Sequence, residues 1–313
     1  MLAYAVRRVL AVFPVMAVVV LFVFVLLRLA PGDPAAIIAG DYATPEAIGK
    51  IRTALGLDQP IYVQLGVYVA SLARGDLGRS LHSRLPVRTL IAQRLEPTIA
   101  LAVSTLVFAV GLAIPLGVLA AWRAGTWIDR GVMVFAVGGF SIPVFWLGFL
   151  MIYGFSVRLD LFPVQGYAPL AAGFGPFARH LFLPTVTLGL IYMALLTRIT
   201  RASVLEVLDA DYVRTAHAKG QWPRRILFTH ALKNAAVPIV TTIGVGLTLL
   251  ISGVVVTESV FALPGLGRLT ADAVLQRDYS IIQGVTLLSS AVYVFVNLLV
   301  DLCYLLLDPR IRY

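Results

Sequence analysis

Six apolar runs, read as bilayer-spanning helices, constrain the fold of this chain more than any other feature. They cover residues 9–29, 98–121, 132–157, 181–196, 237–257 and 282–307. A helix needs roughly 20 apolar residues to span the hydrocarbon core of a bilayer. Backbone groups in lipid must be hydrogen-bonded within their own segment, so each run is predicted to be α-helical. The pattern therefore predicts an all-α, multi-pass membrane protein with six transmembrane helices.

The composition fits this interpretation, because little of the chain is polar enough to face water. Of its 313 residues, 59% are hydrophobic and only 13% are charged, and the mean hydropathy is +0.90. A soluble domain cannot bury so much apolar surface, so most of it must contact lipid or other buried helices. The net charge of +9 is compatible with nucleic-acid binding, but the basic residues are spread over the loops between the apolar runs. That distribution is typical of a membrane protein, so we expect contact with membrane lipid and no nucleic-acid partner.

The distribution of arginine and lysine also predicts the orientation of the chain. With the N-terminus inside the cell, thirteen basic residues lie in the inner segments, and the short outer loops hold only Arg158, Arg179, Arg268 and Arg277. Short cytoplasmic loops are enriched in arginine and lysine, so both termini are predicted to be cytoplasmic. The long outer loop, residues 31–97, carries seven basic residues, but loops of this length are largely exempt from the rule.

The apolar runs divide the chain into three segments. Residues 1–30 are predicted to form an N-terminal transmembrane helix, and residues 98–313 a core of five transmembrane helices. Between them, residues 31–97 are predicted to form an extracytoplasmic helical subdomain, inserted after the first span. Its two expected helices, near 44–55 and 61–72, are separated by a Gly- and Pro-containing break.

No residue pattern indicates catalysis, a metal site or a bound cofactor. The chain lacks the phosphate-binding motif Gly-x-x-x-x-Gly-Lys-Ser/Thr, so any ATP that drives it must bind to another chain. Cys303 is the single cysteine, which excludes an intrachain disulfide. An intramembrane enzyme needs a nucleophile and base, or a metal site, within its spans, and no apolar run contains histidine. We therefore expect a protein that is not itself an enzyme.

The most polar short segment between two apolar runs, residues 209–233, predicts two short helices with a sharp break. Asp209 is expected to cap the first helix, Asp211 places negative charge in its first turn, and Gly220 is expected to end it in the left-handed conformation. Pro223 suits the first turn of the second helix. Small side chains along the first helix let a partner approach its backbone, and basic residues flank it. The segment is either a cytoplasmic docking site or a basic loop on anionic lipid headgroups.

Residues 211–220, which read DYVRTAHAKG, and residues 230–235, HALKNA, closely resemble the coupling loop of ATP-binding-cassette importer permeases. The similarity is to the dipeptide, oligopeptide and nickel branch of that family. Further phrases similar to this branch occur in order along the chain, namely PGDP at 31–34, GLDxP at 56–60, GDLGxS at 75–80, FxxPGLGR at 261–268, RDY at 277–279 and DPRIRY at 308–313. Each motif alone is weak evidence for this branch. The motifs in this order, together with the matching topology, are highly specific to it.

The resemblance implies a type I importer permease with a MetI-like core in the bacterial cytoplasmic (inner) membrane. The implied partners are a homologous second permease subunit that makes a heterodimer with this chain, two ATP-binding-cassette ATPase subunits, and an extracytoplasmic substrate-binding protein. Short peptides, either dipeptides or oligopeptides, are the expected substrates, with glutathione or a nickel chelate as alternatives. A stand-alone secondary carrier is a further alternative, but the chain shows no inverted repeat and no mid-span acid pair.

The resemblance also implies which residues couple the permease to its ATPases. They lie in the cytoplasmic loop 202–235, at Asp211, Tyr212, Arg214, Thr215, Ala216, Ala218, Lys219 and Gly220. In that family, such a coupling helix seats in a groove of the ATPase and passes its motion to the transmembrane helices.

Polar residues inside the apolar runs are few. The hydroxyl-bearing candidates of the fifth run are Thr241, Thr242, Thr248 and Ser252. Their hydroxyl groups either line a polar translocation pathway or bond back to their own helix. Asp301 lies near the cytoplasmic end of the last run and is expected to pair with Arg7, Arg8 or Arg310. Pro143 and several glycines in the runs permit kinks and close helix packing. They either flex during alternating access or are sites of ordinary close packing.

Overall fold

The computed structural model describes residues 2–29, 35–36, 44–54 and 56–307, and these residues are almost entirely helical. The described part of the chain forms no β-structure beyond an isolated bridge between Arg79 and Pro86. The predicted turn at 31–34 and the terminal motif at 308–313 lie outside the described residues. The all-helical class predicted from the apolar runs is confirmed.

The helices are named here in chain order. They are α1 Leu2–Leu29, α2 Pro45–Ala54, α3 Ile61–Ala73, α4 Val87–Trp122, α5 Trp127–Ser141, α6 Val144–Met151, α7 Phe174–Leu208, α8 Asp211–Ala218, α9 Leu232–Val260, α10 Leu266–Leu275 and α11 Tyr279–Leu307. Wider π-helical turns follow α6 at Ile152–Arg158 and precede α9 at Ile226–Ala231. The predicted helices of the long outer loop correspond to α2 and α3.

Four described helices are long and apolar enough to cross a membrane. A bent pair of helices makes a fifth span if the pair is counted as a single span. The four lie on α1, α4, α7 and α11, and the bent pair combines α5 with the residues from Val144 to Arg158. The fifth predicted run lies on α9, which is 29 residues long. The part of α9 from Leu232 to Leu247 forms a shorter apolar stretch of described residues. The count of six transmembrane helices therefore stays a prediction.

The third apolar run is not one continuous helix as predicted. α5 ends at Ser141, Ile142 is extended (φ −87°, ψ 126°), and α6 begins after Pro143. The two halves of the run are bent by 102°. Proline disfavours the helical conformation at the residue before it and cannot donate the backbone hydrogen bond that would continue the helix. Pro143 therefore breaks the run that its apolar composition alone predicts as a single span.

The chain forms two compact units, and the first is built around α7. This unit comprises residues 1–8, 94–268 and 295–313. The most apolar stretch of α7 is 67% buried, against 11% for α1, because α5, α6 and α9 all pack on α7. The largest buried core residues include Leu101, Leu183, Met193, Leu196 and Leu263.

Glycines allow α7 and α9 to approach closely in this unit. A side chain at Gly246 would overlap the Tyr192 ring, and one at Gly253 would meet Leu188. Tyr192 Oη donates a hydrogen bond of 2.9 Å to the carbonyl oxygen of Ile243. These glycines are sites of ordinary close packing, the role that small residues have in many membrane helix pairs.

The second unit comprises residues 9–93 and 269–294. In it, the Arg28 guanidinium lies 3.4 Å from the centroid of the Phe24 ring and donates to Gln64 Oε1 at 2.7 Å. Phe24 also contacts Tyr68, with ring centroids 5.6 Å apart. Burial raises the pKa of Tyr68 to about 12, while the nearby Arg28 charge acts in the opposite direction. These contacts join α1 to α3 within the unit.

Candidate functional site

The predicted coupling segment, residues 202–235, starts in the last turns of α7. α7 continues to Leu208, and Asp209 keeps a helical conformation (φ −81°, ψ −6°) at its C-terminal end. Ala210 is extended (φ −71°, ψ 146°), and α8 begins at Asp211 without a side-chain cap. The prediction that Asp209 caps this helix is therefore wrong, because α7 is longer than expected and includes that residue in its end. Asp211 lies in the first turn of α8 as predicted, where its charge complements the helix dipole.

The turn that ends α8 has the predicted conformation. Gly220 adopts φ +74°, and its N–H donates to the carbonyl oxygen of His217 at 2.9 Å. Trp222 is extended, and Pro223 occupies the first position of a short helical turn. That turn continues through Ile226–Ala231 directly into α9. The second predicted helix is thus the beginning of α9 and not a separate short helix.

The inner face of α8 is anchored by a small apolar cluster. Val213 and Ala216 on α8 are 1% and 8% exposed, and they pack with Ile226, which is also 1% exposed. Leu208, at the end of α7, packs against the same cluster. Burial of these side chains fixes α8 to the end of α7 and to the turn before α9.

A polar contact adds a second attachment for α8. The Asn234 amide nitrogen Nδ2 donates to Tyr212 Oη at 2.9 Å. Asn234 lies in the first turn of α9, so this hydrogen bond joins α8 to a different helix from the one that precedes it. α8 is therefore attached both to α7 and to α9.

The outer face of α8 is exposed. Its exposed residues are Asp211, Tyr212, Arg214, Thr215, His217, Ala218 and Lys219. Arg214 and Asp211 are 3.5 Å apart, but their side chains are 74% and 97% exposed, so the pair adds little stability. Six of the eight predicted coupling residues lie on this face, while Ala216 packs inward and Gly220 shapes the turn. His217 shares the exposed face and was not among the predicted residues.

An ion pair that the sequence did not reveal supports the helix leading into α8. Arg201 on α7 donates from Nε to Asp129 Oδ1 at 2.5 Å and from Nη2 to Oδ2 at 2.7 Å. The Gly125 N–H donates to the same carboxylate at 2.9 Å. The Asp129 side chain is 5% exposed and that of Arg201 26%. This two-pronged geometry is the strong form of an arginine–carboxylate contact, and it ties the first turn of α5 to α7.

The predicted pathway residues that are described bond to their own helix. Thr241 Oγ1 donates to the carbonyl oxygen of Val237, and Thr242 Oγ1 to that of Pro238, both at 2.8 Å. The side chains of Thr248 and Ser252 lie outside the described residues. For the two described threonines, the alternative of bonding back to the helix is thus observed.

A buried carboxylate explains the FxxPGLGR motif that follows α9. Glu258 is 0% exposed and accepts hydrogen bonds from Thr98 Oγ1 at 2.6 Å and from the Arg268 N–H at 2.9 Å. Side chains at Gly265 or Gly267 would meet the Glu258 carboxyl group. The glycines of the motif therefore make room for the carboxylate, which in turn holds the loop.

The last helix carries the predicted structural ion pair. Arg8 Nη1 lies 3.1 Å from Asp301 Oδ2, so the expectation that Asp301 pairs with a nearby arginine is confirmed. The described half-buried Cys303 is a free thiol. Within the residues that the structure describes, no group of three His, Cys, Asp or Glu side chains is arranged to hold a metal ion.

Family models match both parts of the chain. Residues 113–313 match the family described as "Binding-protein-dependent transport system inner membrane component". Residues 1–102 match its N-terminal counterpart, "Binding-prot-dependent transport system membrane comp, N-term". Together these models include the coupling segment and the long outer loop.

Named relatives match over the full length. The chain is 52% identical to the "Probable peptide ABC transporter permease protein y4tP" of Sinorhizobium fredii, over 99% of each chain. It is 38% identical to the dipeptide transport system permease protein DppB of Alkalihalophilus pseudofirmus and 42% identical to the glutathione transport system permease protein GsiC of Escherichia coli, over 100% of each chain. A chain of the MetNI methionine ABC transporter, solved in an inward-facing conformation, has a similar fold (TM-score 0.58, 19% identity, 71% of this chain and 97% of that one).

Proposed function

This chain belongs to the family of binding-protein-dependent transport system inner membrane components, and we propose on that premise that it moves short peptides. It is a transmembrane permease subunit of an ATP-binding-cassette importer, a multi-pass protein of the inner membrane. Peptides are supported by the relatives from Sinorhizobium fredii and Alkalihalophilus pseudofirmus, whose names specify peptides and dipeptides. Glutathione, which is itself a small peptide, is the second candidate, because the Escherichia coli relative is named for it. A nickel chelate is the third, and it rests on the sequence resemblance alone.

The two faces of α8 carry the proposed mechanism. The inner face is packed on Ile226 and Leu208, while the outer face is exposed and available to a partner. We propose that this outer face seats in a groove of an ATPase subunit. Closure of the ATPases on binding ATP then moves α8 as a rigid body, and its two attachments pass that motion to α7 and α9. ATP hydrolysis takes place on the partner subunits.

The proposed assembly contains this chain, a homologous second permease subunit, two ATPase subunits and an extracytoplasmic binding protein. In it, the chain has six transmembrane helices, of which α9 is the fifth, and both termini are cytoplasmic. Residues 1–30 form the first span, residues 31–97 an extracytoplasmic subdomain and residues 98–313 the core. The arginine and lysine distribution supports this orientation.

The proposed translocation pathway runs along α9, lined by Thr241, Thr242, Thr248 and Ser252. The observed hydrogen bond of Thr242 uses the hydroxyl proton of its side chain. Its hydroxyl oxygen keeps lone pairs that accept hydrogen bonds from the N–H groups of a passing peptide.

Isolation of the tagged chain from its native membrane in mild detergent tests the proposal. We expect a second six-span protein and two ATPase subunits to copurify at a defined stoichiometry. After reconstitution with the binding protein, uptake of a labelled dipeptide should require ATP. A chain that purifies alone and transports without ATP would instead be a secondary carrier, and the importer proposal would be rejected.

A further inference from the structure

We propose that the surface formed by residues 79–85 and 274–278, called here the outer turn pair, docks an acidic face of the extracytoplasmic binding protein. The inference rests on the proposed function, which places this surface outside the membrane. It concerns one compact unit of the chain, because both turns lie within residues 9–93 and 269–294.

A buried carboxylate joins the two turns. Asp278 is 0% exposed and accepts hydrogen bonds from Ser80 Oγ at 2.6 Å and from the Leu81 N–H at 2.9 Å. His82 Nε2 lies 2.8 Å from the carbonyl oxygen of Gln276. Ser80 and Asp278 are 198 positions apart in the sequence. These contacts make one fixed surface from two distant turns, and rigid surfaces lose less entropy when a partner binds.

An arginine stands at the left-handed position of each turn. Arg84 has φ +58° and Arg277 has φ +56°. This conformation is uncommon for residues other than glycine, asparagine and aspartate, and glycine adopts it without steric cost. Strained positions of this kind persist where the surrounding structure holds them, and they cluster at functional sites. Neither backbone position requires an arginine, so any function of these two residues lies in their side chains.

The chemistry of the surface fits an acidic protein partner. Four exposed guanidinium groups belong to these turns and their immediate neighbour, at Arg79, Arg84, Arg88 and Arg277. None of the four forms an ion pair with an acidic side chain in the described part of the chain. Two exposed carboxylates, Asp76 and Asp272, also lie nearby, and Asp76 Oδ1 accepts from the Gly78 N–H at 2.9 Å.

Exposed apolar residues accompany the arginines. Leu275 is 84% exposed, Val274 56% and Leu85 45%. Arginine beside apolar side chains is the composition of protein–protein interfaces, where arginine is enriched and lysine is depleted. Anionic lipid also attracts arginine, but fluid headgroups do not require the arginines to have a fixed arrangement. Asp278 holds the two turns in a fixed arrangement, which favours a protein partner.

Docking is measured with the whole importer complex in nanodiscs and the separately purified peptide-binding protein of the same host. We expect Arg84→Glu with Arg277→Glu to raise the Kd for the binding protein at least tenfold at low salt, because opposite charges at an interface speed association. The effect should shrink at high salt as charges are screened. The matched control is Arg123→Glu, an exposed arginine of a predicted cytoplasmic loop, which should keep the original Kd.

Glycine variants separate docking from folding. Arg84→Gly with Arg277→Gly removes both charges and also relieves both strained positions, so thermal stability should stay the same or rise while docking weakens. Unchanged affinity in the glycine and glutamate variants would overturn the inference. It would also be overturned if the loss of affinity appeared only in nanodiscs with anionic lipid, since the arginines would then contact lipid. If the unmodified complex transported peptide but bound no binding protein, the proposed function would be overturned as well.

Discussion

The Asn234 amide group donates a 2.9 Å hydrogen bond to Tyr212 Oη, and this contact links the exposed helix α8 to the first turn of α9. The apolar cluster of Val213, Ala216 and Ile226 holds α8 independently of that bond. The hydrogen bond is therefore the part of the attachment that a conservative substitution removes without unfolding the segment.

Tyr212→Phe deletes this hydrogen bond and should weaken coupling while the importer still assembles. A typical intramolecular hydrogen bond contributes about 1 kcal/mol, so peptide uptake per ATP hydrolysed should fall by several-fold. The measurement compares uptake with ATP hydrolysis in proteoliposomes. Asn234→Ala should have a similar effect, and the double variant should be no worse than either single one. Losses that simply add would show that the two residues act separately.

Gly220→Val should impair uptake through the backbone of the turn. Gly220 adopts φ +74°, and a Cβ placed there would meet no atom within 4 Å, so the penalty comes from conformation and not from a clash. The left-handed conformation costs a non-glycine residue about 1–2 kcal/mol, and a β-branched side chain is especially unsuited to it.

Gly220→Asn is the matched control, because asparagine tolerates this conformation. Both variants should insert in the membrane at the same level as the original protein, as judged by the amount recovered in the membrane fraction. The asparagine variant should retain most of the uptake. Equal activity of the valine and asparagine variants would argue against a role for this turn in docking.

Asp129→Asn should destabilise the complex by removing one member of a largely buried ion pair. Arg201 would keep its charge beside a neutral amide, and breaking a buried pair in this way costs about 3–5 kcal/mol. We expect the lower end of this range, because the Arg201 side chain is 26% exposed and water offsets part of the loss. Thermal unfolding in detergent measures the change. Adding Arg201→Gln should restore part of the stability, and a further loss in that double variant would contradict the ion-pair explanation.

Local signals were sufficient for some parts of this site and misleading for others. Gly220 and Pro223 were placed correctly, because their conformational limits act on the neighbouring residues alone. Asp211 lies in the first turn of α8 as predicted, but Asp209 belongs to the end of α7, whose length no local signal indicates. Likewise, Pro143 indicated a kink in the third apolar run, but the size of the bend, 102°, depends on how the two halves of the run pack.

Contacts between distant residues were not predictable from a single sequence. The partners of Asp129 and Asp278 are 72 and 198 positions away, so neither pairing leaves a periodic or local pattern. Glu258 lies at the end of an apolar run, where a carboxylate suggests exposure to water, yet tertiary contacts bury it completely. The apolar runs predicted the helices well because burial in lipid requires every backbone group to bond internally.

Gly265→Ala should disrupt the loop after α9, because a methyl group at this position would overlap the buried carboxyl group of Glu258. Displacing that carboxylate breaks its hydrogen bonds to Thr98 Oγ1 and to the Arg268 N–H, and hydrogen bonds to charged groups contribute about 1.5–3 kcal/mol each. The matched control is Gly138→Ala in α5, where a Cβ meets no atom within 4 Å and helix propensity favours alanine by about 1 kcal/mol. Thermal unfolding of the two purified variants should therefore move in opposite directions. Equal midpoints would show that the loop accommodates the methyl group, and that the glycine is not required by the carboxylate beside it.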